Sequence, residues 1–297
     1  AKFCLDNEPT TAVAVAEMIR GRMNAFDTGS LITLVGTPNS AVSKPKSGFY
    51  PSLSTLDGDQ RKKLEQLLYD VYRKEFIARL KQQQRPYNQA LVDTLIDLTK
   101  MRKDVTGWQP LGKIKPSDRI WRFMTFDPLS KKDEMAMRER KRFRRVQLPK
   151  QLEGWQNVGY DDRAWRTGKA PIGKGPDTFR GVQIPNTTEW GKGEFIVMRT
   201  TFEVDDQNYD AYRIRILARQ GYDVYLNGKL IENYIWWKDL PSYRPFVMGP
   251  DKVSLLKKGT NVLAAYANME YHKKTRQPTG QMDLYIEGLK MSDILNE

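Results

Sequence analysis

Cysteine, histidine and long apolar runs are nearly absent from this sequence. The single cysteine, Cys4, excludes an internal disulfide, and we interpret it as a buried, unreactive thiol. The single histidine, His272, excludes a metal site or catalytic pair that requires two histidines. No run of about eighteen apolar residues occurs, so the sequence predicts no membrane-spanning helix. The chain opens with Ala rather than Met, and we expect it to be a processed product or a piece of a longer polypeptide.

Motifs that indicate an enzyme are also missing. The sequence contains no phosphate-binding loop, no dinucleotide-binding glycine motif and no zinc-ligand spacing. Acidic residues are plentiful, but none lies in a distinctive motif, and a glycosidase needs two carboxylates across a cleft. We therefore predict no catalytic residues in this chain.

Positive charge is the strongest compositional feature. The formal net charge is +13, which favours binding to polyanions such as nucleic acid, anionic lipid or acidic polysaccharide. Residues 131–145, the basic segment, hold eight cationic and three anionic side chains. Three interpretations stay open for it: a solvated linker helix followed by a strand, a cradle for an acidic polysaccharide, and a nucleic-acid site. No nucleic-acid recognition motif accompanies it, so we expect nucleic acid not to be the partner.

The first part of the chain has a helical period. Apolar residues between Leu64 and Leu80 follow i, i+3, i+4, i+7 spacing, and a second stripe runs from Ala90 to Met101. This pattern predicts a helical domain over residues 1–105, either a small bundle or the end of a HEAT-like solenoid. Residues 106–120 are rich in proline and glycine and are predicted to be a linker.

After the linker the period changes to two. Residues 195–204 have strand composition, and residues 212–218 alternate apolar with charged side chains. Asn227-Gly228 between two short strands predicts a hairpin with a type I′ turn. The predicted fold class is therefore α+β with segregated elements, in which a helical domain precedes an antiparallel β-sandwich over residues 121–292.

Several motifs follow one another in this half in an order that resembles a known family. They are Gly154-Trp155, Gly159–Trp165, Gly168–Gly173, Arg199–Val204, Gly221–Gly228 and Lys258–Leu263. Their order is similar to that of the galactose-binding-like jelly-roll domains attached to bacterial glycoside hydrolases, including β-galactosidase and β-glucuronidase relatives. The resemblance covers about residues 117–290. It implies a jelly-roll sandwich and a non-catalytic carbohydrate-binding or accessory role in a larger secreted or cell-surface bacterial protein.

Aromatic rings that stack on a sugar and planar polar groups that bind its hydroxyls mark the candidate ligand site. Three clusters qualify, each beside a predicted loop. The candidate ligand-binding residues are Tyr234, Trp236, Trp237 and Tyr243; Arg180, Asn186 and Trp190; and Tyr271 and His272. For each cluster the alternative is packing against the sheet or solvation.

No cofactor is predicted, although Asp161-Asp162 and Asp205-Asp206 offer oxygen ligands for a structural calcium ion. Turn capping explains both pairs as well. The expected partners are a polysaccharide or glycan and other domains of a larger polypeptide or complex. The expected location is periplasmic, extracellular or at the cell surface. The rival hypotheses are a purely structural or protein-docking sandwich and a fragment of a glycoside hydrolase.

Overall fold

The computed structural model divides into two units, and the larger one spans Gly107–Asp293. The structure describes residues 106–113, 118–140, 142–175, 178–179, 182–205, 209–219, 221–235, 242–271, 276–290 and 292–293, together with single positions between 59 and 95. The described positions between 59 and 78 are helical, and Val71 is buried there. Leu95 is also helical and buried, and the remainder of the helical domain predicted for residues 1–105 lies outside the described residues.

The larger unit is mostly β-structure. In chain order the strands are β1 (Gln109–Pro110), β2 (Ile120–Phe126), β3 (Arg166–Lys169), β4 (Ile172–Lys174), β5 (Thr178–Phe179), β6 (Val182–Gln183), β7 (Thr188–Glu189), β8 (Phe195–Val204), β9 (Ala211–Ala218), β10 (Tyr222–Leu226), β11 (Lys229–Tyr234), β12 (Arg244–Val247), β13 (Gly259–Asn268), β14 (Glu270–Tyr271) and β15 (Pro278–Leu289). The connections that the structure describes include a helical turn, α1 (Pro250–Val253), and the short 3-10 turns Leu111–Lys113 and Lys150–Leu152. None of the described helices is both long and apolar enough to cross a membrane.

Two sheets contain most of these strands. The six-stranded sheet has the order β11-β10-β13-β8-β2-β3 and is antiparallel throughout. The seven-stranded sheet has the order β12-β9-β15-β4-β7, and β1 and β14 also pair with β15. Only β4 and β7 run parallel within it. This arrangement is a β-sandwich, as the change of period predicts.

The apolar core lies between the sheets. Ile196 and Met198 of β8 face Ile216 of β9 and Leu284 of β15 across it, all at most 2% exposed. Because side chains alternate along a strand, the neighbours of these residues point to the other face of each sheet. The polar and charged side chains that could contact a ligand therefore lie on the outer faces of the sandwich or at its edges.

A second apolar cluster covers the outer face of the six-stranded sheet. Trp155 and Trp165 pack there against Phe195, Val197 and Tyr266, which alternate with core residues of β8 and β13. Both tryptophans are buried. The segment between them is a series of turns, and the hydrogen bond from the Trp165 amide to the Asp162 carbonyl (3.0 Å) closes the last of them.

The hairpin prediction is also confirmed. Asn227 and Gly228 have φ angles of 49° and 84°, the positive values that both central positions of a type I′ turn require. A side chain at Gly228 would in addition approach the Asn157 amide oxygen at 2.9 Å.

Both ends of the larger unit lie beside the last residues of β15. Strand β1 pairs with its last residues, Gln109 opposite Gly288, and the Gln109 amide donates to the Asp293 carboxylate at 2.9 Å. Residues 109–110 fall within the segment predicted to be a linker, yet they extend the seven-stranded sheet.

Candidate functional site

The first predicted cluster, residues 234–243, is divided by the structure. Trp236 and Trp237 lie outside the described residues. The Tyr234 ring stacks on Tyr222 with centroids 5.9 Å apart, and the Arg244 guanidinium lies 4.4 Å from its centroid. Tyr234 is half-buried at the edge of the core in this arrangement.

Tyr243 contacts the face of β15 opposite to the core. Its hydroxyl donates to the Asp283 carboxylate at 2.6 Å, and its ring lies 5.4 Å from that of Tyr285. Burial raises the pKa of Tyr243 well above its ordinary value, and the neighbouring charge of Asp283 raises it further. The tyrosine is therefore a neutral hydrogen-bond donor at any physiological pH.

Asp283 is the centre of a buried polar network. It is fully buried and accepts four hydrogen bonds, two from Arg119 (3.2 and 3.0 Å), one from the Trp121 indole (2.9 Å) and one from Tyr243. A carboxylate has about four acceptor positions, so all of them are used. Trp121 belongs to β2 and Arg119 directly precedes it, and the carboxylate therefore connects the two sheets. We call Asp283, Arg119, Trp121 and Tyr243 the Asp283 network.

Asn186, from the second predicted cluster, lies beside this network. Its side-chain oxygen accepts a hydrogen bond from the Gln281 amide at 2.8 Å, and Gln281 also donates to the Ile184 carbonyl at 2.7 Å. Gln281 and Asp283 are alternate residues of β15 and share one face. Tyr243 and Asn186 thus contact alternate residues of β15, although they come from different predicted clusters. Arg180 lies outside the described residues.

Trp190 is a core residue in this structure. It is fully buried, and its indole donates to the Gly193 carbonyl at 3.1 Å. Gly280 of β15 makes room for it, since a side chain there would approach the indole ring at 3.0 Å. No ring face is left for a sugar, and we therefore remove Trp190 from the candidate ligand residues.

Tyr271, from the third predicted cluster, packs against the basic segment. The Arg140 guanidinium lies 5.1 Å from its ring centroid. Burial raises the pKa of Tyr271, and the charge of nearby Glu194 raises it further. His272 lies outside the described residues.

The described part of the basic segment forms turns and extended chain, without the helix that one interpretation predicted. Arg144 is buried and pairs with the carboxylate of Glu194, and the Nε of Arg140 lies 3.6 Å from the same carboxylate. Burial raises the pKa of Glu194, and this effect outweighs the opposing attraction of the two arginines. Arg145 pairs with Asp223 through two bonds of 2.6 and 2.7 Å. Part of the positive charge is therefore used to attach the segment to the sandwich.

Arginine pairs also account for every buried carboxylate that the structure describes. Glu194 and Asp223 pair with the basic segment, Asp283 pairs with Arg119, and Glu287 pairs with Arg213 at 2.5 Å. Among the described residues, no cluster of three or more acidic, histidine or cysteine side chains could hold a metal ion. Asp161 instead accepts from the Arg163 side chain and amide, which lowers the pKa of Asp161, and Asp206 lies outside the described residues.

An open groove lies on the six-stranded sheet beside the 159–165 turn, with a volume of about 340 Å³. It was not predicted, although period-two alternation in the Arg199–Val204 motif places Arg199 and Thr201 on one face. Two apolar, three hydroxyl and five charged residues line it. They are Ile120 and Val262; Thr167, Thr200 and Thr201; and Asp118, Arg119, Arg122, Asp162 and Arg199.

Comparison with known proteins gives likenesses of structure only. No family model matches the sequence, and no curated protein matches it. A glycoside hydrolase family 2 member from Bacteroides cellulosilyticus is 15% identical, with a TM-score of 0.35 over 61% of this chain and 20% of that chain. A family 2 β-glucuronidase is 15% identical, with a TM-score of 0.33 over 62% of this chain and 18% of that chain.

The β-glucuronidase of Bifidobacterium dentium, solved with coumarin-3-O-glucuronide, gives a similar result. It is 14% identical, with a TM-score of 0.32 over 57% of this chain and 29% of that chain. The matched region is thus less than a third of each of these structures. Likenesses at this level do not establish a family.

Proposed function

We propose that the larger unit is a non-catalytic carbohydrate-binding module of the galactose-binding-like jelly-roll kind. The observation that carries this proposal is the groove of about 340 Å³ on the six-stranded sheet. Its lining mixes exposed apolar surface, from Ile120, with hydroxyl and guanidinium groups. A sugar ring presents the matching combination, an apolar C–H face and a rim of hydroxyls.

The distribution of carboxylates supports a binding role over a hydrolytic one. Acid–base hydrolysis of a glycoside needs two carboxylates that face a cleft and are available to substrate. The described buried carboxylates are engaged by arginine, and the Asp283 network uses all acceptor positions of its carboxylate. The two carboxylates in the groove, Asp118 and Asp162, each lie within 4.0 Å of a cationic side chain.

The module would act as an accessory part of a larger secreted or cell-surface protein, with a polysaccharide or glycan as its partner. Tyr243, Asn186, Trp236 and Trp237 stay candidates for a second contact surface. Of these, Tyr243 and Asn186 contact β15, and Trp236 and Trp237 lie outside the described residues. Because the Asp283 carboxylate is fully engaged, a ligand on β15 would meet the Tyr243 ring.

A docking role is the second candidate function. Strand β11 lies at the edge of the six-stranded sheet, and Leu230 and Ile235 beside it are 49% and 65% exposed. An open sheet edge with apolar side chains can receive a partner chain. In this alternative the sandwich would bind protein and no glycan.

Glycan-array binding of the full chain tests the proposal. Thr201→Trp places a bulky ring in the groove on a strand that tolerates it, and we expect glycan binding to fall at least about tenfold. Thr187→Trp, at an exposed site outside the groove, is the matched control and should bind as the unmodified chain does. Trp236→Ala tests the second surface. Absence of binding to every neutral and acidic glycan would contradict the proposal and favour docking.

A further inference from the structure

Two arginines lie directly opposite each other on the floor of the groove. Arg122 of β2 and Arg199 of β8 are cross-strand partners. Like charges in this position destabilise a sheet unless something neutralises them. The carboxylate of Asp162 is the neutralising group, but it is shared unequally: its oxygens lie 2.8 Å from Arg199 Nε and 3.6 Å from Arg122 Nε.

Arg199 has a structural role in this arrangement. Its side chain is 3% exposed, and it donates to the carbonyl oxygens of Trp155 (2.5 Å) and Asn157 (2.8 Å) in addition to Asp162. These bonds attach the turn segment 155–162 to the sheet. No donor of Arg199 is well placed for a ligand.

Arg122 differs in each of these respects. Its side chain is 42% exposed, and its hydrogen bonds are two long contacts from Nη1 to the carbonyls of Asp162 (3.5 Å) and Arg163 (3.3 Å). Nη2 has no partner among the described residues. The guanidinium therefore lines the groove with hydrogen-bonding capacity that the described residues do not use.

The remaining charges of the groove are balanced. Arg119 pairs with Asp283, and Asp118 on the rim lies 4.0 Å from Lys169. Arg163, next to the groove, pairs with Asp161. Arg122 shares the Asp162 carboxylate with Arg199, and at 3.6 Å from it Arg122 is the groove arginine without a carboxylate oxygen at hydrogen-bond distance among the described residues.

We propose that the groove binds an acidic sugar and that Arg122 receives its carboxylate. This inference rests on the proposed carbohydrate-binding function and specifies its ligand class as uronic-acid saccharides. A guanidinium binds a planar carboxylate through two parallel hydrogen bonds, which sets orientation as well as strength. The apolar side chain of Ile120, 55% exposed, also lines the groove and offers a surface for the sugar ring.

The test uses uronic-acid oligosaccharides in matched pairs with the full chain. Each of the glucuronate-, galacturonate- and mannuronate-based oligosaccharides is compared with its methyl ester, which keeps the ring and removes the charge. Binding is measured by titration calorimetry at constant ionic strength. We expect the acid of at least one pair to bind about tenfold or more tightly than its ester, the effect of one charge-assisted contact.

Two variants assign the preference to Arg122. Arg122→Gln should abolish the difference between acid and ester, and Arg122→Lys should retain part of it because it keeps charge without the bidentate geometry. Arg138→Gln, an exposed position of the basic segment, removes the same charge and should leave the preference intact. Melting followed by tryptophan fluorescence checks that each variant is folded.

The outcomes separate this inference from the proposed function. Equal binding of acids and esters would overturn the inference and leave carbohydrate binding in place. An equal loss in Arg122→Gln and Arg138→Gln would also overturn it, because the preference would then come from diffuse charge. No binding of any saccharide would overturn both.

Discussion

The Asp283 network and the groove around Arg122 are both rich in polar side chains, but they differ in how those side chains are used. Asp283 is fully buried and has a donor at each acceptor position. Arg122 is half-exposed, and its hydrogen bonds are no shorter than 3.3 Å. The two regions therefore differ in unused hydrogen-bonding capacity, which Arg122 has and Asp283 does not, and this difference is the reason why we propose the groove as the binding site.

The largest expected effect comes from the network. Asp283→Asn keeps the size of the side chain but leaves the buried Arg119 without a counter-charge, and we expect the free energy of unfolding to fall by about 3–5 kcal/mol. All seven tryptophans lie within Gly107–Asp293, so tryptophan fluorescence in urea reports the unfolding of this unit. Asp118→Asn, on the exposed rim of the groove, is the control. A loss as small as in that control would show that the network does not hold the sheets together.

A smaller effect is expected at Tyr243. Tyr243→Phe removes one hydrogen bond to a charged, buried acceptor, and we expect a loss of about 1.5–3 kcal/mol in the same experiment. Tyr285→Phe is a matched control, because that ring packs on Tyr243 while its hydroxyl has no hydrogen bond among the described residues. Equal losses in the two variants would mean that the hydrogen bond to Asp283 contributes no more to stability than a hydroxyl without a described hydrogen bond.

Glu194 should make a pH-dependent contribution. Because burial raises its pKa in the folded state above the ordinary value of 4.5, the folded protein binds the proton more readily than the unfolded chain does. The stability of the unmodified protein relative to Glu194→Gln should therefore increase as the pH falls from about 7 through the raised pKa. Urea titrations of both proteins at several pH values measure this difference. A decrease on acidification would mean that the arginine pairing dominates over burial.

The smallest effect on stability is expected at the groove. Arg122→Gln should change the free energy of unfolding by no more than about 0.5 kcal/mol, since the side chain is half-exposed and makes only long hydrogen bonds. Arg199→Gln, at the opposite position of the sheet, breaks a buried ion pair and should cost several times more, about 3 kcal/mol. Comparable losses in the two variants would show that Arg122 is structural.

Local patterns predicted much of the sandwich. Strand β8 was predicted with the bounds that the structure shows, and the turn at Asn227-Gly228 followed from the backbone angles it needs. The segment 106–120 was predicted to be a linker because it is rich in proline and glycine. It contains the short strand β1, which the sequence does not indicate because its pairing depends on the distant β15.

The candidate sites were harder to predict because their partners are distant in sequence. Arg119 and Asp283 are 164 positions apart, and nothing local to either residue indicates the other. Trp190 was assigned to a ligand because it lies in a stretch rich in glycine and proline, but the absence of a side chain at Gly280 lets it enter the core. The groove requires β2 and β8 to be neighbours, which periodicity alone does not specify.

The pairing of β1 with the end of β15 has a consequence for how this unit can be joined to other proteins. Gly107 and Asp293 lie side by side, with 3.1 Å between the Asp293 Cβ and a Cβ built at Gly107. A host chain could therefore enter the unit at Gly107 and leave it at Asp293 with its own two connection points close together. Such a module can be grafted into a surface loop of a host as readily as it can be fused to a terminus.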